Sequence, residues 1–125
     1  MNISPYTPEH ETAILDAIKQ DPNWAIFTKE DAIELYRKAL QQSITYVCHQ
    51  NDEFCGYVRA FDDLGLAIYV SELYVLPQWR NQHVGRSLLA RYKTDFPDKT
   101  VYALSDEDAY YEKIGYTKIG SVFEL

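Results

Sequence analysis

The chain has 125 residues, 46% hydrophobic, 14% aromatic and 25% charged, which suits one globular domain burying roughly two-thirds of its unfolded surface. Its 12 Lys and Arg against 19 Asp and Glu leave a net charge of −7, opposite to that of a polyanion-binding module, so nucleic acid is not an expected partner. No apolar run reaches the roughly 18 residues of a membrane span. The opening segment Met1–Glu9 lacks the basic and apolar blocks of a leader, and two cysteines are too few for a disulfide framework. A cytoplasmic protein with no membrane partner is the expectation.

Residues 9–19 carry Ala13, Ile14, Ala17 and Ile18 at helical spacing, and Asp21-Pro22-Asn23 ends that helix. Thr28 before Lys29-Glu30-Asp31 reads as an N-cap with acids in the first turn. Ala32, Leu35, Tyr36, Ala39 and Leu40 then form one apolar helix face. From Ile44 the period shortens. Ile44–His49 and Phe54–Phe61 flank the polar turn Gln50-Asn51-Asp52-Glu53 and read as a hairpin. That pairing sets Cys48 opposite Cys55, and free, buried thiols are expected there.

Asp62-Asp63-Leu64-Gly65 is a second turn, and Leu66–Leu76 a longer strand halted by Pro77. A helix follows over about 82–94, where Val84, Leu88 and Tyr92 repeat every four residues beside Leu89. A strand at Thr100–Leu104 and a short helix over about 106–114, closed by Gly115, come next. Tyr116–Leu125 reads as final strand material. The order predicts an α/β fold, a mixed sheet packed with helices.

The chemistry concentrates between Ser71 and Leu89. A buried strand ends there, a short loop turns, and a helix begins near Gly85. Free N–H groups and the positive dipole end make such a start an anion site. Arg80 and Arg86 flank it in an otherwise acidic chain, which points to a phosphate ligand. His10 and His49 have no ligand-like spacing with the cysteines, so no metal site is expected. Tyr46, Tyr57, Tyr69 and Tyr74 fall on three successive strands, where core packing is the first explanation for most of them.

Leu73-Tyr74-Val75-Leu76-Pro77 followed by Arg80-Asn81-Gln82-His83-Val84-Gly85 resembles the acetyl-CoA segment of the GCN5-related N-acetyltransferase (GNAT) superfamily, whose loop runs (Gln/Arg)-x-x-Gly-x-(Gly/Ala). Ala109-Tyr110-Tyr111-Glu112-Lys113-Ile114-Gly115-Tyr116 resembles that family's Phe-Tyr-Glu-Lys-x-Gly-Phe helix. Both blocks lie in the family's order with a strand between them, and the likeness spans about residues 44–120. Two departures stand out. His83 occupies the position of the first loop Gly, and only ten residues follow Gly115.

The resemblance implies a GNAT-like acyltransferase fold, with helices on both faces of the sheet. It implies acetyl transfer from acetyl-CoA to a primary amine by direct attack in a ternary complex. Pantetheine amides would pair with backbone around Leu73 and Val75 like an added strand. The pyrophosphate would take N–H groups from Gln82, His83, Val84, Gly85, Arg86 and Ser87, helped by the Arg80 and Arg86 side chains. His83 itself is expected to face solvent. A backbone N–H near Tyr74 or Val75 would steady the thioester oxygen as it gains charge.

Tyr111 matches the residue that would protonate the leaving thiolate. Tyr110 and Ile114 are expected to face the core and turn Tyr111 to another side. Glu72, a carboxylate inside an apolar run, is the candidate base, acting through water. Alternation sets Glu72 on one face with Val70 and Tyr74, opposite Ser71 and Leu73. A packing role for Tyr111, a salt bridge for Glu72 and a water chain as base stay open. So does a non-catalytic acyl-CoA-binding module of the same fold, and the resemblance also allows a homodimer.

Overall fold

The computed structural model describes residues 1–125. Five strands form one sheet in chain order: β1 (Asn2–Pro5), β2 (Ile44–Gln50), β3 (Glu53–Asp62), β4 (Ile68–Val75) and β5 (Val101–Ala103). The first four pair antiparallel, and β5 lies parallel to β4. Four helices accompany them: α1 (Glu11–Lys19), α2 (Ile33–Gln42), α3 (Val84–Asp95) and α4 (Asp108–Lys113). The mixed sheet with helices is the architecture the sequence predicts.

Each face of the sheet buries a separate apolar layer. On one, Ile14 and Ile18 of α1 and Tyr36 and Leu40 of α2 cover Val47, Tyr57 and Tyr74. On the other, Val84, Leu88, Leu89 and Tyr92 of α3 cover Tyr46, Cys48, Cys55, Val58, Ala60, Ile68 and Val70. The four-residue repeat read in α3 is therefore its buried stripe. Fully burying one such aliphatic side chain contributes about 1.5–3 kcal/mol, so these two layers hold the fold.

The β2–β3 turn is tight because Asn51 and Asp52 both adopt positive φ, 52° and 65°, which suits the twist of a two-residue hairpin. At the β4–β5 junction the parallel pairing is short and covers only Ile68–Val70 against Val101–Ala103. Gly115 adopts φ 99° and its N–H donates to Glu112 O, closing α4 in the left-handed conformation that glycine takes without strain.

Several sequence expectations are corrected. Asn2–Pro5, for which the sequence suggested no element because a short polar run with a proline carries little strand signal, is a strand paired along β2. Thr28 does not cap α2. It ends a 3-10 turn (Ala25–Thr28) with its hydroxyl donating to Ala25 O, and the helical turn starts from Lys29, whose C=O accepts from Ile33. Leu35 lies on the solvent side of α2, 71% exposed. Cys48 stands opposite Gly56, not Cys55, because Cys55 is an extra residue bulging out of β3. Both thiols are free and buried as expected.

The largest correction is the tail. Tyr116–Leu125 forms no strand, and its last backbone hydrogen bond runs from Tyr116 N–H to Tyr111 O. Ile119, Val122 and Phe123 are 73%, 71% and 81% exposed. A strand needs an edge to pair with, and a cavity separates this segment from β5.

Candidate functional site

The site begins where β4 outruns β5. The last rung between them is the Leu104 N–H to Val70 O bond at 2.9 Å. Beyond it β4 keeps β3 on one side and has no strand on the other. Register decides which backbone groups face that opening. Leu76 N–H donates to Cys55 O, so in an antiparallel ladder Tyr74 is hydrogen-bonded to Tyr57, while Leu73 and Val75 turn their N–H and C=O groups away from β3. Leu73 and Val75 thus present the open edge the sequence assigned to them, and Tyr74 does not.

A bulge sets this phase. Arg59 pairs with Glu72, but Ala60 pairs with Val70, so Ser71 is an extra residue in β4. One residue of slip reverses the sides of everything beyond it. Val70 belongs to the α3 layer, whereas Tyr74 belongs to the α1–α2 layer. The expectation that Glu72 shares a face with both is therefore corrected. Glu72 shares its side with Tyr74 only.

Below the strand end, Pro77–Trp79 makes a single 3-10 turn and the loop climbs into α3. Asn81 and His83 hold positive φ of 62° and 66°. His83 is the N-cap of α3 in the left-handed conformation, which explains why a glycine suits this position and why histidine costs about 1 kcal/mol of backbone strain there. No side chain caps α3, and the N–H groups of Val84, Gly85 and Arg86 have no partner in the chain. Ser87 differs from expectation: its N–H already donates to His83 O at 3.0 Å. Gln82 folds its side-chain amide back onto Gln78 O.

The two arginines flank this start from different sides. Arg80 donates Nε to Val75 O at 3.0 Å and lies over the Tyr74 ring, so it occupies one backbone group of the open strand edge. Arg86 reaches Ile114 O at the end of α4, at 3.4 Å. Gly85 has a packing reason as well as a ligand reason. A Cβ there would meet the Tyr110 hydroxyl at 2.2 Å.

Tyr110, Tyr111 and Ile114 all pack against the α3 layer, so Tyr111 is not turned away from the core as its helical offset suggested. Burial pushes the Tyr111 phenol up to about 12, with no hydrogen bond to it. It lines a cavity of about 1000 Å³ walled by Tyr69 and Val70 of β4, Tyr102 of β5, Leu89 of α3 and the tail. That cavity is bounded by the unpaired tail and does not include the start of α3.

Glu72 stands on the other face of the sheet. Its Oε2 accepts from Arg59 Nε at 3.0 Å, from Arg59 Nη2 and from Ser71 Oγ at 3.2 Å, and its Oε1 accepts from Tyr36 at 2.5 Å. The Tyr36 oxygen in turn lies 2.5 Å from that of Tyr57. Burial raises the Tyr36 and Tyr57 phenols, so both stay neutral donors. The structure therefore separates Glu72 and Tyr111 by the thickness of the sheet. Arg59 and Tyr36 were missed as site residues, although Arg59, like Glu72, is a charge within an apolar strand. The four tyrosines do not make one wall: Tyr57 and Tyr74 face α1 and α2, Tyr46 packs on Tyr92, and Tyr69 stacks between Phe61 and Tyr102.

No cluster of three metal-ligating side chains is assembled, and no helix is long and apolar enough to cross a membrane. The family model of the GNAT acetyltransferase domain matches residues 41–118. No curated protein matches closely enough to count as a relative. Among solved structures, an aminoglycoside 6′-N-acetyltransferase complexed with coenzyme A aligns with TM-score 0.77 at 18% identity, over 96% of this chain and 87% of that one. A ribosomal-protein-alanine N-acetyltransferase from Brucella melitensis biovar Abortus 2308 aligns with TM-score 0.74 at 17% identity, over 100% and 99%. An aminoglycoside antibiotic 6′-N-acetyltransferase from Acinetobacter haemolyticus gives TM-score 0.74 at 13% identity, over 100% and 97%. At these identities the likeness concerns the fold.

Proposed function

Because the chain belongs to the GNAT acetyltransferase domain family, we propose that it transfers an acetyl group from acetyl-CoA to a primary amine by direct attack in a ternary complex. One observation carries this reading: the unpaired N–H groups at the start of α3 lie just beyond the strand edge that presents Leu73 and Val75. That combination suits a ligand with a pyrophosphate at one end and amides along its arm.

In this reading the α3 start and the Arg80 and Arg86 side chains hold the pyrophosphate, with Gln82, His83 and Ser87 lining the loop. Arg80 exchanges its hold on Val75 O for phosphate, which frees that carbonyl for the arm. Val75 N–H is the better placed donor for the thioester oxygen, since Tyr74 N–H is turned to β3. Tyr111 stays protonated far above neutral pH, donates its proton to the leaving sulfur, and regains one from solvent water through the open cavity it lines. The amine approaches from the α1–α2 side. Its proton passes through water to Glu72 Oε1, which has one lone pair left beside Tyr36. The related structures act on different acceptors, an aminoglycoside and a ribosomal protein, so the acceptor here is assigned only as a primary amine.

The test is calorimetric titration with acetyl-CoA against adenosine diphosphate, followed by a thiol-release screen over amines. Saturable binding tighter than the diphosphate, with amine-dependent thiol release, supports the reading. Absence of binding overturns it. A second reading, a non-catalytic acyl-CoA-binding module, draws on the unpaired tail, which leaves the cavity beside Tyr111 open. Tyr111→Phe separates the two. Lost turnover with retained acetyl-CoA affinity favours catalysis, and binding without turnover from any amine favours the module.

A further inference from the structure

A bulge leaves one residue of the partner strand facing two, and here that residue is Arg59. Its guanidinium binds both residues of the bulge: Nη2 donates to Ser71 Oγ at 3.1 Å, and Nε and Nη2 both donate to Glu72 Oε2. Nη1 donates to Ser43 Oγ at 3.0 Å, which ties the same group to the end of α2. The ion pair is well covered, with side-chain exposures of 16% for Arg59 and 10% for Glu72. Tyr36 of α2 completes the ring of donors around the carboxylate. A planar guanidinium, with its donors in a fixed fork, suits meeting two residues of a kinked strand at once.

We propose that Arg59 is a positioning residue for the acetyl-CoA edge: by clamping Ser71 and Glu72 together it fixes the β4 bulge, and so fixes Leu73 and Val75 facing the opening. This rests on the acetyl-CoA reading above. The consequence is geometric. If the bulge slid out of β4, the strand beyond it would return to the phase of Ile68 and Val70, and Leu73 and Val75 would turn their backbone groups toward β3. The start of α3, where the diphosphate binds, does not depend on that phase.

The experiment compares wild type, Arg59→Met, Arg59→Lys, Ser71→Ala and the double variant Arg59→Met/Glu72→Leu. Each is titrated with acetyl-CoA and, separately, adenosine diphosphate, with amide exchange followed at Glu72–Val75 by NMR. Arg59→Met is expected to weaken acetyl-CoA by about tenfold or more, the scale of a lost charge-assisted hydrogen bond, while diphosphate affinity stays unchanged. Ser71→Ala should weaken acetyl-CoA a few-fold. Arg59→Lys should fall between, because an ammonium cannot span both partners.

The double variant removes the unpaired buried charge along with the clamp. It should regain thermal stability but not acetyl-CoA affinity, which separates positioning from mere folding. Should Arg59→Met fail to fold, Arg59→Lys and Ser71→Ala carry the same comparison. Equal loss of both ligands, or acetyl-CoA affinity and β4 amide exchange that stay at wild-type values, overturns the proposal. If wild type itself does not bind acetyl-CoA, the functional reading falls. The clamp is then judged by amide exchange alone: slower exchange at Leu73 and Val75 with faster exchange at Glu72 and Tyr74 in Arg59→Met supports it, and no change refutes it.

Discussion

Every buried residue of the chain lies at or before Tyr92, and residues 93–125 contribute none. The first region is a sheet of four antiparallel strands with packed layers on both faces, and it fixes the register of β4 through a bulge and a buried ion pair. The second region carries β5, α4 and the tail around a large cavity, and it supplies Tyr111. The proposed ligand lies along the seam between them. Geometry that must be held to fractions of an ångström comes from the packed region, while the acid candidate sits on a helix of one and a half turns. That division suits a site whose backbone cradle is preformed and whose remaining wall can adjust.

The largest test of the contrast is truncation on either side of it. Leu88→Ala removes a fully buried side chain of α3 and is expected to cost about 2–5 kcal/mol, read as a fall in melting temperature. Phe123→Ala in the exposed tail should stay within about 0.5 kcal/mol. Comparable losses for both would mean that the tail packs in solution, and the two regions would then be one.

Gly85→Ala probes the seam itself. The added methyl meets the Tyr110 hydroxyl at 2.2 Å, so either α3 or α4 must yield. Overpacking of this kind costs about 1–3 kcal/mol, and the short α4 should be the part that moves. Adding Tyr110→Phe removes the oxygen of closest approach and should recover most of the melting temperature. If it recovers nothing, the Tyr110 hydroxyl is not what limits the space at Gly85, and the ring itself or Leu73 is. If Gly85→Ala costs nothing at all, the glycine serves the ligand alone.

Alkaline pH sharpens the contrast further. Burial raises the Cys48 thiol to about 11 from its ordinary 9.0. The folded state then holds a proton that the unfolded chain loses, so this stabilisation is full below pH 9 and disappears as pH rises through about 11. The expected loss is roughly 1–2 kcal/mol across that window, measured by thermal melts. Burial also raises the Tyr36, Tyr57 and Tyr111 phenols from their ordinary 10.0, so they add their own loss from about pH 10 upward. Cys48→Ala should therefore lessen the slope between about pH 9 and 10 and leave the steeper part above it.

The sequence announced the elements better than their phase. Val84, Leu88 and Tyr92 identify α3 because a helix buries one stripe, and this needs no knowledge of the partner. The same logic failed for Glu72 and Val70, since strict alternation assumes a regular strand. Whether Ser71 bulges depends on Arg59 across the ladder, a contact between strands that no local pattern encodes. Cys55 went astray for the same reason. The unpaired N–H groups of Val84, Gly85 and Arg86 were legible, because they follow from a helix starting there at all. The tail was misread in the opposite way: Ile119, Val122 and Phe123 have strand composition, yet β-propensity expresses itself only against a neighbour.

The smallest effect is expected at the ion pair joining Asp108 of α4 to Lys118 of the tail, 3.1 Å apart with both side chains about half exposed. Hydrogen bonding to Lys118, and then to Ser105, holds the Asp108 carboxyl below its ordinary range. The tether is therefore present above that ordinary range and is lost as pH falls through the lowered value. Solvent screens such a pair, so Asp108→Asn should leave the melting temperature where it was. It should nonetheless release the tail, because no backbone hydrogen bond beyond Tyr116 holds it. Limited trypsin digestion at Lys118 reads this directly, with faster cleavage in the variant and in wild type at high salt. Unchanged cleavage would show that contacts across the cavity, rather than this pair, keep the tail in place, and that the second region is more ordered than its burial suggests.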